Sequence, residues 1–138
     1  MLDAPCSGLG VLAKRADLRW NRTEAEITEL KDLQDRLLDA ASKIVRPGGL
    51  LVYSTCSIEP EENGDRAQAF LARHKDFSHE SCSHLMHPSL MADGNLQTLP
   101  HEHQIDGAFA ARLRRSPEGM PTTNGSTSRS ANADDMKL

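Results

Sequence analysis

The sequence predicts an α/β fold whose sheet closes with an antiparallel pair of strands. The apolar segment LLVYSTC at residues 50–56 is short and β-branched, as a buried parallel strand would be. A segment with the apolar periodicity of a helix precedes it, and residues typical of a helix N-terminus follow it. Two further strand-like segments, NLQTLP at 95–100 and GAFAARLRR at 107–115, come next. Strands that alternate with helices in this way indicate an α/β sheet.

The first element is the end of a strand. The segment is LDAPCSGLG at residues 2–10, and only Met1 and Leu2 precede Asp3, whereas strands usually run about 5–6 residues. Pro5 fixes its backbone φ and removes a donor. Gly8 and Gly10 allow a tight turn or a close approach. We therefore expect a strand end and a rigid loop, in a chain that begins within an element.

The next element is a long helix. Thr23 and Glu26 form the Thr-x-x-Glu pattern of a capping box. Apolar residues then recur at spacings of three and four, namely Ile27, Leu30, Leu33, Leu37, Ala40, Ala41 and Ile44. The Pro-Gly-Gly at 47–49 predicts its end.

A second helix is predicted after the 50–56 strand. Pro60, Glu61 and Glu62 are typical of a helix first turn. Its apolar face is predicted at Ala67, Phe70 and Leu71. Residues 77–91 are polar and are predicted to be irregular.

Composition predicts one soluble domain, residues 1–115, and a disordered tail, residues 116–138. The chain has 138 residues, of which 26% are charged and 38% hydrophobic. The tail is rich in Ser, Thr, Asn, Gly and Pro without periodicity. The net charge of -4 does not favour a dedicated nucleic-acid binder, which usually carries a basic surplus.

Cysteine usage predicts an intracellular, reducing compartment. The chain has an odd number of widely spaced cysteines, namely Cys6, Cys56 and Cys82. No apolar run approaches the ~18 residues that would predict a membrane span.

Two of these cysteines follow strand ends. If the two strands are parallel neighbours, Cys6 and Cys56 lie on the same edge of the sheet, where α/β proteins gather function. Thiolate is a strong nucleophile. The helix dipole near Pro60 favours a Cys56 thiolate and the acids Glu61 and Glu62 oppose it, so its pKa is not decided by sequence. Inert packing is the alternative for each cysteine.

The motif set resembles the Sun/Fmu family of RNA cytosine-C5 methyltransferases. Asp-Ala-Pro-Cys-Ser-Gly at 3–8 and Tyr-Ser-Thr-Cys-Ser at 53–57 carry the resemblance. RADLRWNR, ELKDLQDRLLDAASKIVRPGG, SIEPEEN and LPHEHQIDGAFAARLRR extend it over residues 2–115.

The resemblance implies the C-terminal half of a Rossmann-like class I methyltransferase sheet, with S-adenosylmethionine as cofactor and RNA, most simply rRNA, as substrate. It implies that Cys56 is the nucleophile that attacks C6 of cytosine and that Cys6 assists product release. It implies that Asp3 faces the base and the methionine end of the cofactor. The family's Gly-rich cofactor loop does not occur in the sequence, so we expect no saturable S-adenosylmethionine binding by this chain alone.

Other functions stay open at this point. The chain could be a non-catalytic remnant that pairs with another chain or contacts RNA weakly. A thiol redox protein lacks support from a Cys-x-x-Cys motif. DNA cytosine methyltransferases use the Pro-Cys thiol as nucleophile, and we expect no DNA substrate here.

The remaining predictions concern the histidine segment, three arginines and two aromatic residues. His79, Cys82, His84 and His87 fit no common zinc spacing, so no metal site is predicted. A solvated surface is the default for Arg15, Arg19 and Arg22, with RNA phosphate contact as the alternative. Trp20 and Tyr53 are predicted to pack in the core or at its rim.

Overall fold

The computed structural model describes residues 1–118. The strands are β1 (Leu2–Asp3), β2 (Leu50–Thr55), β3 (Phe77–His79), β4 (Met91–Ala92), β5 (Asn95–Thr98) and β6 (Ala108–Arg115). The helices are α1 (Leu18–Asn21), α2 (Glu24–Ile44), α3 (Gly64–Arg73) and α4 (Pro100–His103). Most of the predicted tail, from residue 119 onward, lies outside the described residues.

The strands form one mixed sheet. Its order is β1-β2-β6-β5-β4, and β3 also pairs with β6. Strands β1 and β2 run parallel, whereas the other pairs are antiparallel. The predicted pair of closing strands is confirmed, because β5 pairs antiparallel with β6 through Leu96 and Ala110. An α/β fold is therefore confirmed.

The core lies between one face of this sheet and helices α2 and α3. Its fully buried members include Leu38 from α2, Phe70 from α3, Tyr53 from β2 and Leu113 from β6. The rings of Phe70 and Phe77 meet edge to face at 5.1 Å. Burial of aromatic and aliphatic side chains of this size stabilises a fold by roughly 1.5–3 kcal/mol each.

Strand β2 differs from its prediction in one respect. It was expected to be buried on both faces, but burial alternates along it: Leu51, Tyr53 and Thr55 are buried, while Leu50 and Val52 are half-buried. The reason is that α2 and α3 cover the face of the sheet to which the buried set belongs.

Helix α2 begins and ends where the sequence predicts. Glu26 N–H donates to Thr23 Oγ1 at 3.3 Å, and Thr23 N–H donates to Glu26 Oε2 at 2.7 Å, which completes the capping box. Its buried face is not the predicted one. Gln34, Leu38 and Ser42 are buried, and Ile44 is 87% exposed. A count of apolar residues missed this face because two of its three members are polar.

Ion pairs join α2 to α3. Asp35 and Arg66 lie 2.7 Å apart, and Asp39 lies 3.0 Å from Arg73 and 2.7 Å from His74. Helix α3 buries Ala67 and Phe70 as predicted. These contacts fix the helix that follows the Cys56 loop against the helix that follows the Cys6 loop.

The prediction that residues 77–91 are irregular is wrong in part. Strand β3 pairs with the end of β6, Phe77 opposite Arg115, and a 3-10 turn spans Pro88–Leu90 before β4. Three-residue strands are too short to show periodicity in sequence. Beyond β6, Ser116 N–H donates to the carbonyl of Asp76 at 2.7 Å.

Within residues 1–118, no helix combines the length and the hydropathy needed to cross a bilayer.

Candidate active site

Two loops meet at the carboxyl edge of β1 and β2. The strands are parallel, with Leu2 opposite Tyr53 and Asp3 opposite Ser54. The N–H of Ala4 extends the ladder by donating to the Ser54 carbonyl at 2.8 Å. The segments that follow β1 and β2 therefore leave the sheet side by side. The sequence predicts this from two strand ends that each precede a cysteine.

The two cysteines lie in contact. Sγ of Cys6 is 3.1 Å from Sγ of Cys56, and the Cys56 N–H donates to the Cys6 sulfur at 3.4 Å. Both thiols are free. Cys56 is exposed and Cys6 is half-buried. Cys56 is therefore the more accessible of the two cysteines to a molecule that approaches from solvent.

The environment favours the protonated form of Cys6. Burial, followed by the hydrogen bond with Cys56, raises the pKa of the Cys6 thiol to about 12, although N–H groups of Cys56 and Gly8 act in the opposite direction. Cys6 is thus a thiol at neutral pH. Its S–H can donate to the sulfur of Cys56.

Gly8 and Gly10 of the first loop allow the tight turn and the close approach that the sequence predicts. Gly8 has a φ of +72°, in the left-handed region that favours glycine. Gly10 packs against the main chain of Gly107 and of Cys56. The second contact ties the loop after β1 directly to the loop after β2.

A buried polar cluster lies beneath the two thiols, and the sequence analysis missed it. Glu62 is fully buried, although it was assigned only to a helix first turn. Its carboxylate accepts hydrogen bonds from Ser7, Ser57 and Gln34. The adjacent Glu61 is exposed, so residue type alone could not distinguish the two glutamates. The sequence signal that could have identified Glu62 was its position in SIEPEEN, a segment that carries part of the family resemblance.

Asparagine and tyrosine side chains fix the second loop further. Asn63 accepts from the Thr55 hydroxyl at 2.5 Å and donates to the Ser57 carbonyl at 2.8 Å, so it spans Cys56. The Tyr53 hydroxyl donates to the Glu62 carbonyl at 2.5 Å, and burial together with nearby Glu62 raises the pKa of Tyr53. The predicted packing role of Tyr53 is confirmed.

Asp3 lies at the outer edge of the sheet. It belongs to β1, an edge strand, and it is exposed. Its Oδ1 accepts from the Ser54 hydroxyl at 3.0 Å. The carboxylate is thus oriented by β2, on the same edge from which the cysteine loops depart.

A groove of about 750 Å³ adjoins the two loops. It shares Gly10 with the first loop and Ile58 with the second, and Arg19 and Asp106 contribute charge to its wall. Apolar side chains dominate its lining near Leu9. Neither cysteine lines this groove, so it borders the two loops without including the thiols.

The arginines after the first loop divide between structure and surface. Arg22 Nε donates to the Ser7 carbonyl at 2.9 Å, so it supports the cysteine loop. Arg15 pairs with Asp17 at 3.0 Å, which lowers the pKa of that aspartate. Trp20 is 84% exposed, so its predicted packing role is wrong.

The histidine segment makes ordinary contacts. His79 hydrogen-bonds Asn95 at 2.8 Å and His87 hydrogen-bonds Ser89 at 2.8 Å, while Cys82 is buried. Among residues 1–118, no group of three or more His, Cys, Asp or Glu side chains is placed to hold a metal ion.

The fold and the paired thiols place the chain in the class of α/β methyltransferases. A solved structure described as PH0851 matches 83% of the chain at 38% identity with a TM-score of 0.75, covering 26% of that chain. NSun6 from Pyrococcus horikoshii, solved with SFG, matches 83% at 35% identity with a TM-score of 0.69, covering 29% of that chain. Likeness at this level extends through the described sheet.

Sequence comparison identifies the family. The 16S rRNA methyltransferase RsmB/F family model matches residues 1–114, and the chain belongs to this family. The probable ribosomal RNA small subunit methyltransferase B of Synechocystis sp. is 43% identical over 119 residues, 84% of this chain and 27% of the relative. The Shewanella oneidensis enzyme of that description is 41% identical over 116 residues, 84% and 26% respectively.

The predicted Sun/Fmu membership is confirmed, and the descriptions of the family and of these relatives name rRNA methyltransferases. The chain spans about a quarter of the length of the curated relatives it matches.

Proposed function

We propose that this chain forms the target-base side of an S-adenosylmethionine-dependent RNA methyltransferase site that modifies cytosine at C5, with rRNA as substrate. The observation that carries the proposal is the 3.1 Å contact between the sulfurs of Cys6 and Cys56 at one edge of the sheet. The family supports it, since its curated members are described as rRNA small subunit methyltransferases.

A nucleophilic thiol suits this reaction because C5 of cytosine is by itself a weak nucleophile. The Cys56 thiolate adds to C6, and the displaced electron pair makes C5 nucleophilic enough to bond a methyl carbon. Transfer of the C5 proton to a water molecule then returns the electron pair of the C–H bond to the ring and expels the Cys56 thiolate. The bound cofactor supplies the methyl group.

The unequal environments of the thiols support separate roles. Cys56 is exposed, and it can attack a base that enters from solvent. Cys6 keeps its proton because burial raises its pKa, and its S–H can hydrogen-bond the departing Cys56 sulfur without transferring that proton. This difference supports the roles that the resemblance implies, attack by Cys56 and assisted release by Cys6.

Asp3 is the described residue best placed to reach both the base and the cofactor. It is exposed at the sheet edge and oriented by Ser54, and a carboxyl group there can accept from the cytosine amine. SFG, an analogue of S-adenosylmethionine, accompanies one structural neighbour, which supports a cofactor of that kind. Because β1 is an edge strand, the described residues enclose Asp3 on one side only.

A thiol redox function is the second candidate, because sulfurs 3.1 Å apart also suit a reversible disulfide. The absence of a Cys-x-x-Cys motif argues against it. A non-catalytic fragment that pairs with another chain or contacts RNA weakly is the remaining alternative.

The test is a chimera in which this chain replaces the matched segment of the Synechocystis relative, assayed beside this chain alone. The RNA contains 5-fluorocytidine, whose fluorine cannot leave C5 as a proton does. We expect methylated RNA to stay covalently attached to Cys56, as located by mass spectrometry. The Cys56→Ser chimera should form no adduct, and the Cys82→Ser chimera should form it normally.

Two results would contradict the proposal. Attachment of RNA to Cys6 would reverse the assigned roles. A chimera that folds but neither methylates RNA nor forms the adduct, while the parent relative does both, would support the non-catalytic alternative.

A further inference from the structure

We propose that Glu62 is a positioning residue whose buried carboxylate holds the Cys6 loop and the Cys56 loop in register. The inference deepens the proposed function, because it concerns the geometry of the same two-thiol site. Its test measures the proximity of the thiols and does not depend on methyl transfer.

On the first loop, Glu62 holds the residue after Cys6. The Ser7 N–H donates to Glu62 Oε1 at 2.8 Å, and the Ser7 hydroxyl donates to Oε2 at 2.6 Å. Ser7 is fully buried. One carboxylate thus fixes both the main chain and the side chain of the residue next to the first thiol.

On the second loop, Glu62 holds the residue after Cys56. The Ser57 hydroxyl donates to the same Oε2, and it lies 3.3 Å from the Ser7 hydroxyl. Ser57 is 1% exposed. The two Cys-Ser steps therefore share one acceptor atom, and their sulfurs come to lie 3.1 Å apart.

Helix α2 adds a third link. Gln34 Nε2 donates to Glu62 Oε1 at 3.2 Å and to the Pro5 carbonyl at 2.9 Å. Gln34 is fully buried. The cluster therefore anchors the main chain on both sides of Cys6, at Pro5 and at Ser7.

The burial and hydrogen bonding of this cluster point to positioning rather than to stability alone. Glu62 is fully buried and, among residues 1–118, forms no ion pair within 4.0 Å of its carboxylate oxygens. Burial of a carboxylate is costly unless hydrogen bonds compensate, and here neutral donors do so. Such a network specifies one loop arrangement because any shift leaves a donor or an acceptor unpaired.

The experiment measures how readily Cys6 and Cys56 form a disulfide in the full chain. Glutathione disulfide oxidises the two thiols and is reduced to two glutathione molecules, so the equilibrium constant reports the proximity of the sulfurs. The variants are Glu62→Ala, Glu62→Gln and, as a matched control, Glu61→Gln in the same turn. Alkylation of buried Cys82 monitors whether the fold stays closed.

We expect Glu62→Ala to lower the equilibrium constant about tenfold or more, the size typical of losing hydrogen bonds to a charged group. Glu62→Gln keeps the shape and an acceptor oxygen, so it should stay within about threefold of the parent. Glu61→Gln should have no effect. Cys82 should remain protected in all three variants.

A second variant covers the case in which Glu62→Ala does not fold. Ser57→Ala removes one donor of the cluster, and Ser42→Ala is its control, a buried serine of α2. We expect a several-fold lower equilibrium constant for the first alone. A parent-like constant in Ser57→Ala, or in a folded Glu62→Ala protein, would overturn the proposal. Suppose that Glu62→Ala lowers the disulfide equilibrium constant as expected but the chimera transfers no methyl group to RNA. That result would reject the proposed function and leave the positioning role of Glu62 intact.

Discussion

Gly10 donates its N–H to the carbonyl oxygen of Cys56 at 2.9 Å, so main chain meets main chain beside the candidate nucleophile. A Cβ on Gly10 would lie 2.6 Å from that oxygen and 2.4 Å from the Gly107 carbonyl oxygen. Neither oxygen belongs to a flexible side chain. The position therefore admits no side chain without displacing the Cys56 loop.

Replacement of Gly10 by Ala should destabilise the chain by about 1–3 kcal/mol, the usual cost of forcing extra atoms into packed surroundings. It should also weaken disulfide formation between Cys6 and Cys56, because the Cys56 carbonyl must move. Urea unfolding measures the first effect and exchange with glutathione the second.

Gly64→Ala is the matched control for this substitution. Gly64 begins α3, and a Cβ there meets nothing within 4 Å. We expect a gain of roughly 0.5–1 kcal/mol, because alanine lowers the entropy of the unfolded chain. Equal destabilisation by both substitutions would show that the contact at Gly10 is unimportant.

Alkylation should distinguish the three cysteines. At neutral pH iodoacetamide should modify Cys56 first, since it is exposed, while Cys6 keeps its proton and Cys82 is buried. The rate at Cys6 should rise only as pH approaches its raised pKa of about 12. Peptide mapping after short reactions gives the order, and earlier labelling of Cys6 would contradict the assigned protonation.

Stability should fall at alkaline pH partly because of Cys6. Its pKa rises from 9.0, the ordinary value of a cysteine thiol, to about 12 in the folded chain. Between these values the native state binds the proton that the unfolded state has lost, so stability is lost as pH rises through this window. Cys6→Ala should show a shallower decline in urea unfolding across it.

Tyr53 also has a raised pKa, and it contributes to the alkaline decline of both proteins. Cys6 is one of the smaller causes of the raised pKa of Tyr53, so the comparison with Cys6→Ala reports the thiol together with its effect on Tyr53. Parallel stability curves for the two proteins would remove Cys6 as a cause.

Loss of the capping box should destabilise α2. Thr23→Ala removes the acceptor of the Glu26 N–H, which typically costs about 1 kcal/mol. Thr28→Ala is the control, since Thr28 is exposed within the helix and alanine is the better helix former there. Urea unfolding should separate the two, and a larger loss for Thr28→Ala would contradict this role of Thr23.

The parts predicted from sequence are those with a local signal. The capping box at Thr23 and Glu26 sets the start of α2, and the apolar run at 50–56 sets β2. The convergence of Cys6 and Cys56 follows from two strand ends that become parallel neighbours. The first two predictions need no knowledge of distant packing, whereas the third was conditional on the pairing of β1 with β2.

The parts that were missed depend on long-range contacts. Glu62 is buried because Ser7 and Ser57 supply donors, and those partners lie up to 55 residues away along the chain. Trp20 is exposed although tryptophan usually prefers partial burial. The short strand that pairs Phe77 with Arg115 exists only because β6 extends far enough to receive it.

The position of β6 has a consequence for biosynthesis. One side of Ala108–Arg115 pairs with β2, and the other pairs with β5 and β3. A nascent polypeptide that has left the ribosome only as far as residue 107 holds the three partners but not the strand that joins them. Sheet assembly must therefore wait for β6, and until then β2 exposes an unpaired edge that invites aggregation or chaperone capture.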